Sequence, residues 1–488
     1  MDPAQEYVET MLSRHKKMDE LTESGDSAVQ KFYQDAVVST KLSKVFVVLR
    51  PKKGKGVEER LSELLKEPVF DKLRKKQPEF AEKIIPVAGD VNIIFHLAAT
   101  TRFDASIRES TLINIRGAKE ALRLGKECKN LKSYVHVSTA YANATHSRIN
   151  AQVREDFYPS PIDPDMMIEL IDSVEESRLN DMTPREDDIC HNLHSWYELK
   201  MTVSTSKGSV IGAMKEPTPG WIDMSAVYGI TGAGLGAALG LMHTSMTNPN
   251  VNLGLIPVDY VNNAIIVAAW ETAKQKSTKD SNPKVYTVIS STRSPRKWSD
   301  LYRLLQDITL WKYPSPMSIA YSLYIQTSSP FLYWVYSWLF HMIPAYIADG
   351  VCSALGRQRR FVKLFTKMTR LMLALSYFSL NDWHFADDNT EALYDNLSAA
   401  DKEIFSFDID RLNWTEFVAS WGVGVRQYIL KDGLVNTRYG IKRLKMLRAL
   451  TYIGTIIYLF ALYKTIQFSF YFLSFAVSSV LNYVNLQM

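Results

Sequence analysis

The sequence predicts an α/β fold with a doubly wound parallel sheet, followed by a mostly helical C-terminal domain and a C-terminal membrane segment. Short apolar runs alternate with helical patterns in units of roughly 30 residues as far as residue 290, which is typical of parallel strands joined by helices. Beyond residue 296 the pattern becomes helical and rich in aromatic residues. The chain from Ala449 to Val484 carries Lys464 as its only charge.

Five short apolar runs are the predicted strands, because continuous apolar runs are typical of strands buried on both faces of a sheet. In chain order they are VFVVL at 45–49, IIPVAGD at 84–90, VNIIFHLAA at 91–99, YVHVSTAY at 134–141 and KVYTVIS at 284–290. Helices are predicted over 57–76, 105–128 and 257–270. The chain therefore divides into a poorly defined segment at 1–43, an α/β domain at 44–293, a helical domain at 296–433 and a membrane segment at 449–484.

The apolar stretch at 449–484 is long enough to cross a bilayer at least once, since a spanning helix needs about 20 apolar residues. Four basic residues come just before it: Lys442, Arg443, Lys445 and Arg448. Positive flanks favour the cytoplasmic side, so we expect the bulk of the chain to face the cytosol. A second uncharged stretch lies between Lys312 and Asp349 and contains four prolines. It is interpreted either as an interfacial or substrate-facing segment or as simple core.

Charge and cysteine content exclude several classes of protein. A net charge of +5 on 488 residues is far below that of a chain that follows nucleic-acid phosphates, so no nucleic-acid partner is expected. The three cysteines, Cys128, Cys190 and Cys352, are widely spaced and form no pair typical of a metal or redox site. The charged N-terminus lacks the apolar segment of a signal peptide. A reducing, intracellular location without a bound metal is therefore predicted.

Seven motifs in order, with a longer C-terminal stretch, resemble fatty acyl-CoA reductases, which are membrane enzymes of the extended short-chain dehydrogenase superfamily. The motifs are FVVLRPKKGKG, IIPVAGD, IIFHLAATTRFD, INIRG, YVHVSTAYANA, KEPTPGWID and IPVDYVNNAI, and the later stretch runs from LNDWHFADDNTEAL to FSFDIDRLNWTEFVASWGVGVRQYILKDG. The resemblance implies a Rossmann-like NAD(P)-binding domain and a helical reductase domain. It implies NADPH-dependent reduction of long-chain fatty acyl-CoA to fatty alcohol through a bound aldehyde, as in wax synthesis. It also implies a peroxisomal or endoplasmic reticulum membrane.

The resemblance assigns cofactor contacts to several strand ends. Arg50 ends a predicted strand where the adenosine ribose lies in such a fold, and a basic residue there pairs with a 2′-phosphate, which favours NADPH. Lys52 adds positive charge beside it. Asp90 corresponds to an adenine contact. The stretch that includes His96, Ala98 and Ala99 lets the backbone approach the cofactor closely, and Asn114 lines the same site.

The catalytic residues are expected at one strand end and one helix. Ser138 and Thr139 end the strand whose hydroxyl, in short-chain dehydrogenases, holds the substrate carbonyl. A tyrosine then moves the proton and a lysine lowers the pKa of that tyrosine. The candidate pair is Tyr197 and Lys200 in HSWYELKMTVSTSKG, interpreted as a helix. Their spacing is i+3 where the family has i+4, which rotates the lysine by about 100°.

Three segments of the family pattern are missing from this sequence. No glycine-rich turn precedes VFVVL, although that turn holds the cofactor pyrophosphate and its strand is the central one of the sheet. Gly89 and Asn92 leave no room for a crossover helix. Only residues 201–214 separate Lys200 from KEPTPGW, where a helix, a strand and a turn are expected. The activity of this chain is therefore expected to be low.

Two other functions remain open at this point. The first is a non-catalytic or truncated membrane-bound relative that binds acyl-CoA or lipid, which the missing glycine turn favours. The second is a hydroxysteroid-type dehydrogenase of the same superfamily. The C-terminal stretch FSFDIDRLNW argues against the second, because those enzymes lack this domain.

Overall fold

The fold is described from a computed structural model. It covers residues 1–23, 27–29, 45–46, 57–66, 84–85, 92–100, 105–160, 162–182, 202–207, 209–223, 229–274, 283–290 and 292–485. The strands are β1 (Val45–Phe46), β2 (Ile84–Ile85), β3 (Ile93–His96), β4 (Ser133–Thr139), β5 (Gln152–Val153), β6 (Thr202–Lys207), β7 (Ser209–Ile211), β8 (Thr244–Met246), β9 (Leu255–Pro257), β10 (Lys284–Val288), β11 (Ile325–Thr327) and β12 (His384–Phe385).

The helices outnumber the strands. They are α1 (Pro3–Glu23), α2 (Val57–Leu64), α3 (107–127), α4 (Pro164–Ser173), α5 (Glu176–Met182), α6 (Ile230–Leu239), α7 (Val258–Lys274), α8 (298–312), α9 (330–354), α10 (Phe361–Leu380), α11 (Asp388–Asp395), α12 (Ala399–Ile404), α13 (414–430) and α14 (Thr437–Asn485). Four of them contain a π-helical segment: Thr111–Arg116 in α3, Leu305–Lys312 in α8, Trp338–Met342 in α9 and Val425–Leu430 in α13.

The principal sheet has four parallel strands in the order β10-β6-β4-β3. Long α3 joins β3 to β4, and buried α7 precedes β10, so strands and helices alternate as predicted. The prediction of an α/β fold with a parallel sheet and a helical C-terminal region is confirmed.

The sheet is divided into two parts among the described residues. β1 and β2 form a separate parallel pair with no ladder to β3. In a doubly wound fold the strand order is 3-2-1-4-5-6, so the first strand is the one that joins the two halves. A chain without that strand leaves the second and third strands as one pair and the remaining strands as another group. The observed division agrees with the glycine-rich strand that the sequence lacks.

Strand β6 corrects one prediction from the sequence. Tyr197 and Lys200 were expected on a helix in HSWYELKMTVSTSKG, and the residues after Lys200 were expected to be too few for a strand, but Thr202–Lys207 is a central strand between β4 and β10. This segment contains two threonines and a valine, and β-branched residues pack well on a pleated surface. The segment also pairs with the edge of β4, whose backbone groups need partners.

Residues before and after the predicted domain boundary at 293–296 share one hydrophobic core. The same buried cluster contains Val135 of β4, Ala264 of α7, and Phe417 and Trp421 of α13. Helix α1, in the segment for which no structure was predicted, also packs here, and the hydroxyl of Tyr7 donates to the carbonyl of Glu416 at 3.0 Å. The α/β region and the helical region thus stabilise each other.

Helix α14 is the long apolar helix at the C-terminus. Its segment Thr437–Phe475 is long and apolar enough to cross a membrane, and none of its most apolar window is buried against the protein. This agrees with the membrane segment predicted at 449–484. The stretch is one continuous helix, so it is not a pair of spans within the described residues.

Candidate active site

The candidate site lies where β3 and β4 end at the same edge of the sheet. The two strands are in register from Ile93 opposite Ser133 to His96 opposite His136. β4 then continues to Thr139, pairing Ser138 with Ser206 of β6. At about 3.3 Å per residue, Ser138 stands roughly two residues beyond the end of β3. Ligands of open parallel sheets bind in the crevice beyond such strand ends.

Ser138 and Thr139 differ sharply in their hydrogen bonding. The Thr139 hydroxyl accepts from the backbone N–H of Tyr141 at 3.3 Å and caps the 3₁₀ turn Ala140–Asn143. Ser138 is 8% exposed, and its hydroxyl has no hydrogen-bond partner among the described residues. A buried hydroxyl without a partner costs about 1–3 kcal/mol. Ser138 can therefore both donate to and accept from a ligand group, whereas one acceptor position of the Thr139 hydroxyl is already used by the turn.

His96 faces its neighbour strand. Its Nδ1 lies 2.8 Å from Nδ1 of His136, and the two rings stack with centroids 5.0 Å apart. Burial lowers the pKa of His96, so the ring is neutral near pH 7. One Nδ1 must donate and the other accept for this contact to form. The imidazole is thus engaged inside the sheet, and the backbone beyond it is what the site can offer.

That backbone is an exposed loop of small residues. Ala98 and Ala99 are both exposed, and the loop continues to Thr100. Asn114 holds the loop from the π-helical segment of α3: its Oδ1 accepts from the N–H of Thr100 at 2.7 Å, and its Nδ2 donates to the carbonyl of Thr100 at 3.4 Å. Asn114 thus contacts the loop at Thr100, and its predicted contact with the cofactor stays a prediction. Isolated π segments occur frequently at functional sites.

Five predicted site residues lie outside the described part of the chain. They are Arg50, Lys52, Asp90, Tyr197 and Lys200. Their predicted roles therefore stay predictions. Among the described residues no group of three or more His, Cys, Asp or Glu side chains is arranged to hold a metal ion.

Sequence reasoning missed an apolar cavity next to this site. It has a volume of about 80 Å³ between α6, α8 and α10, with Ala233, Ala237, Tyr302, Tyr324, Met372 and Leu375 among its lining residues. A mainly apolar lining with a few polar groups is typical of small-molecule sites. The signal in the sequence is the run GAGLGAA at 232–238, where small side chains on α6 leave space. No element was predicted between residues 212 and 257, so the run was not recognised.

One end of the cavity approaches the catalytic edge. Ser379 lines the cavity, and the adjacent Phe378 packs against Tyr141 with ring centroids 4.8 Å apart. Tyr141 follows Thr139 by two residues on the turn that ends β4. The contact between Phe378 and Tyr141 therefore connects one end of the cavity lining to the turn that follows β4.

A half-buried carboxyl group, that of Glu155, ties the sheet to the helical region. Its oxygens accept from the N–H of Thr287 in β10 at 2.6 Å and from the N–H of Asn389 in α11 at 2.5 Å. The hydroxyl of Thr390 adds a third bond at 2.9 Å. Burial raises the pKa of Glu155 to about 7, against the three hydrogen bonds, which favour the carboxylate.

Two family models match this chain, and both are described as Male sterility protein. The first, an NAD-binding domain, matches residues 36–92 and 90–265, and the second, called Sterile, matches residues 340–432. The first match is divided at residues 90–92, which is where the sequence lacks the crossover helix.

Curated relatives match most of the chain. Fatty acyl-CoA reductase 1 of Xenopus laevis is 30% identical over 440 residues, covering 84% of this chain and 83% of the relative. The human protein of the same name is 29% identical, covering 84% of each chain. Fatty acyl-CoA reductase wat of Drosophila melanogaster is also 29% identical. Among solved structures, the terminal R domain of the myxalamid PKS-NRPS pathway has a TM-score of 0.47 at 13% identity, covering 84% of this chain and 89% of that one.

The parallel sheet and the NAD-binding family match define a nicotinamide-nucleotide-dependent oxidoreductase. The sequence identity to the curated relatives, and the share of each chain that the matches cover, then identify the family within this class. The chain belongs to the fatty acyl-CoA reductase family.

Proposed function

We propose that this chain reduces long-chain fatty acyl-CoA to fatty alcohol with NADPH, through a bound aldehyde. The observation that carries the proposal is the buried Ser138 hydroxyl, which has no partner among the described residues. It stands at the strand end beside the exposed Ala98–Ala99 backbone. The curated relatives are named for this activity.

The cavity supports a long acyl chain as the substrate. Its lining is mainly apolar, with aromatic and aliphatic side chains from α8 and α10 facing small residues of α6. Burying apolar surface contributes about 25 cal/mol per Å², so an acyl chain gains more from this cavity than a polar substrate does. The CoA moiety then remains outside, toward the exposed strand ends.

Residues at the strand ends fit the nicotinamide half of the cofactor. An unsatisfied buried hydroxyl and an exposed small-residue loop are what a bound ring and carbonyl require. Arg50 and Lys52 are proposed to pair with the 2′-phosphate, which favours NADPH over NADH, and Asp90 to contact the adenine. NADPH supplies the hydride for each of the two reductions.

The side chains contribute hydrogen bonds, a proton and exclusion of water. Ser138 donates to the substrate carbonyl oxygen, where negative charge develops as the C–H bond forms. In the first reduction the C–S bond of the thioester breaks, and CoA leaves as a thiolate that takes a proton from water. In the second, Tyr197 gives its proton to the alcohol oxygen, and Lys200 keeps the pKa of that tyrosine low. Asn114 holds the loop at Thr100 in position.

Membrane association is consistent with a substrate and product that both partition into lipid. Helix α14 is the proposed anchor, with the basic residues from Lys442 to Arg448 on the cytosolic side. The proposed location is the cytosolic face of the peroxisomal or endoplasmic reticulum membrane.

A non-catalytic relative that binds acyl-CoA or lipid is the second candidate. The divided sheet favours it, because β1 and β2 have no ladder to β3. Without the first strand, no helix N-terminus in the described residues takes the place of the pyrophosphate turn. This candidate keeps the apolar cavity and loses the hydride transfer.

Product analysis decides between the two candidates. The full chain is expressed in yeast, membranes are supplied with palmitoyl-CoA and either NADPH or NADH, and hexane extracts are analysed by gas chromatography. Alcohol formed with NADPH and not with NADH supports the reductase. Tight binding of radiolabelled palmitoyl-CoA without aldehyde or alcohol would support the non-catalytic candidate instead.

A further inference from the structure

Helix α9 has its polar side chains turned inward. Five residues at intervals of four are buried: Tyr333, Ser337, His341, Ala345 and Asp349. This interval puts them on one side of the helix. Four of them carry a hydroxyl, an imidazole or a carboxylate, which are groups that a helix on the surface of a soluble protein directs to water.

These inward polar groups are satisfied by the protein. The N–H of His243 donates to Nε2 of His341 at 2.9 Å. The Ser337 hydroxyl lies 3.4 Å from that of Thr369 on α10. Asp349 accepts from the N–H groups of Arg360 and Val362, both at 2.9 Å, and so fixes the turn into α10. The inward side of α9 therefore needs no water.

The outward side of α9 is apolar and aromatic. Phe331 is 69% exposed, Trp334 is 58% exposed and Ile347 is 57% exposed. Trp334, Trp338 and Tyr346 form a ladder of rings whose successive centroids are 6.1 and 6.3 Å apart. Tryptophan and tyrosine are enriched where a protein meets the headgroup level of a bilayer. The distribution is the reverse of a soluble surface helix.

A strongly basic segment follows this face. The stretch 350–381 contains six Lys or Arg residues and no Asp or Glu. Three of the six, Arg357, Arg359 and Arg360, lie on the exposed turn between α9 and α10. An apolar helix face bordered by basic residues is typical of helices that lie in the plane of an anionic membrane.

Contact with α14 connects this face to the membrane helix. The hydroxyl of Tyr458 donates to the carbonyl of Leu339, in the π-helical segment of α9, at 2.9 Å. Tyr458 lies ten positions beyond Arg448, which is about 15 Å along the helix. A bilayer that receives α14 therefore reaches the outward side of α9 as well.

We infer that the outward face of α9, together with the basic turn at 356–360, inserts into the headgroup region of an anionic bilayer leaflet beside α14. The inference does not depend on the proposed catalytic activity. It gives the protein a second membrane contact that is formed by the folded body of the chain. The two apolar surfaces are continuous, which favours lipid over a second copy of the chain as the occupant.

Depth-dependent fluorescence quenching tests the inference in the full chain. The native cysteines are replaced by serine, and single cysteines are introduced by Trp338→Cys or Ile347→Cys, labelled with an environment-sensitive dye. Each protein is reconstituted in nanodiscs that hold one copy, with phosphatidylserine in phosphatidylcholine. Lipids with a spin label near the headgroup are expected to cause a several-fold loss of emission at both positions.

Two matched positions calibrate the measurement. Leu124→Cys on α3 is an exposed leucine, 51% accessible, remote from this face, and should not be quenched. Tyr463→Cys on α14 should be quenched. Thermal unfolding of each labelled chain checks that it is folded. Two reporter positions are used on α9, so that the conclusion does not depend on a single substitution that could disrupt the helix.

Two results would overturn the inference. The first is a dye at 338 and 347 that no lipid quencher reaches while 463 is quenched. The second is quenching that appears only between two labelled copies in larger discs, which would assign the face to self-association. The charge contribution has its own comparison. Replacing Arg357, Arg359 and Arg360 by Gln should reduce quenching in phosphatidylserine to the level of pure phosphatidylcholine, and an unchanged response would exclude the anionic headgroup.

Discussion

Two serines at opposite ends of β4 provide a test of the proposed role of Ser138. Ser133 begins the strand and Ser138 is near its end. Both are buried, and neither hydroxyl has a partner among the described residues. Only Ser138 is at the carboxyl edge, where the crevice of a parallel sheet binds its ligand. Both residues are buried serines, so a comparison of the two tests the effect of position along the strand.

We expect Ser138→Ala to lower alcohol formation by about 10²-fold, the usual effect of removing one hydrogen-bond donor from a developing oxyanion. Ser133→Ala should retain activity, because it removes an equally buried hydroxyl far from the crevice. Initial rates with palmitoyl-CoA and NADPH in membranes with equal amounts of protein provide the comparison. Equal losses in the two variants would mean that the effect of Ser138 is structural.

Glu155 provides a prediction at a residue that is remote from the chemistry. Burial raises its pKa from 4.5 to about 7 in the folded chain, so the folded state holds the proton more tightly than the unfolded state. The associated stability is fully present below the unfolded pKa and is lost as the pH rises through about 7. The unfolding midpoint of the unmodified chain should therefore decrease as the pH rises from about 5.5 to about 8.5.

Glu155→Gln is the matched variant, since it keeps the shape and one acceptor oxygen but does not titrate. Its unfolding midpoint should decrease less than that of the unmodified chain over the same pH range. Scanning fluorimetry in detergent measures both curves, and parallel curves would show that another group dominates the pH dependence.

Individual residues show how much of the candidate site could be predicted from the sequence. Ser138 was predictable because an apolar strand followed by a hydroxyl marks a strand end. The pairing of His96 with His136 was not, because it depends on the register of two strands. The exposed loop at Ala98 and Ala99 follows the end of β3, where the sequence predicted a loop of small residues.

At the level of elements, predictions succeeded where one periodicity dominated and failed where tertiary context decided. Helices α3 and α7 and strands β4 and β10 occupy the predicted positions within a few residues. Strand β6 was not predicted, because its pairing with β4 and β10 joins residues that are far apart in the sequence. Helix α6 was not predicted because its glycine-rich sequence has low helix propensity. Packing of α6 beside the cavity provides the stabilisation that its helix propensity lacks.

Substitutions around the cavity should change the chain length of the preferred substrate. Ala237→Leu on α6 adds volume to the lining and should favour shorter acyl chains, whereas Met372→Ala on α10 enlarges the space and should favour longer ones. A difference of a methylene or two is worth about tenfold in kcat/KM. Competition assays with mixed C12 to C20 acyl-CoA, about equimolar, report the ratio directly. Shifts in the same direction for both variants would argue against this cavity as the acyl site.

For the whole molecule, we expect the divided sheet to lower the affinity for the cofactor. Restoring a first strand and glycine-rich turn before β1 should join the β1–β2 pair to β3 and raise NADPH affinity at least about tenfold, because each charge-assisted contact contributes about 1.5–3 kcal/mol. An insertion of equal length with the glycines changed to valine is the control. Fluorescence titration of NADPH measures both. Equal affinity of the unmodified and restored chains would mean that another loop already holds the phosphates.

The length of α14 has a mechanical consequence. Its apolar part from Ala449 to Phe475 is about 40 Å long, whereas the hydrocarbon core of a bilayer is about 30 Å thick. A helix with such hydrophobic mismatch tilts or thickens the bilayer around it. Arg448 lies over the rings of Trp311 and Tyr321 at 5.6 and 5.7 Å, which couples the base of this helix to the body of the protein. In a bilayer, a tilt of this helix would therefore move the body of the protein with it, and bilayer thickness would set the angle between that body and the leaflet.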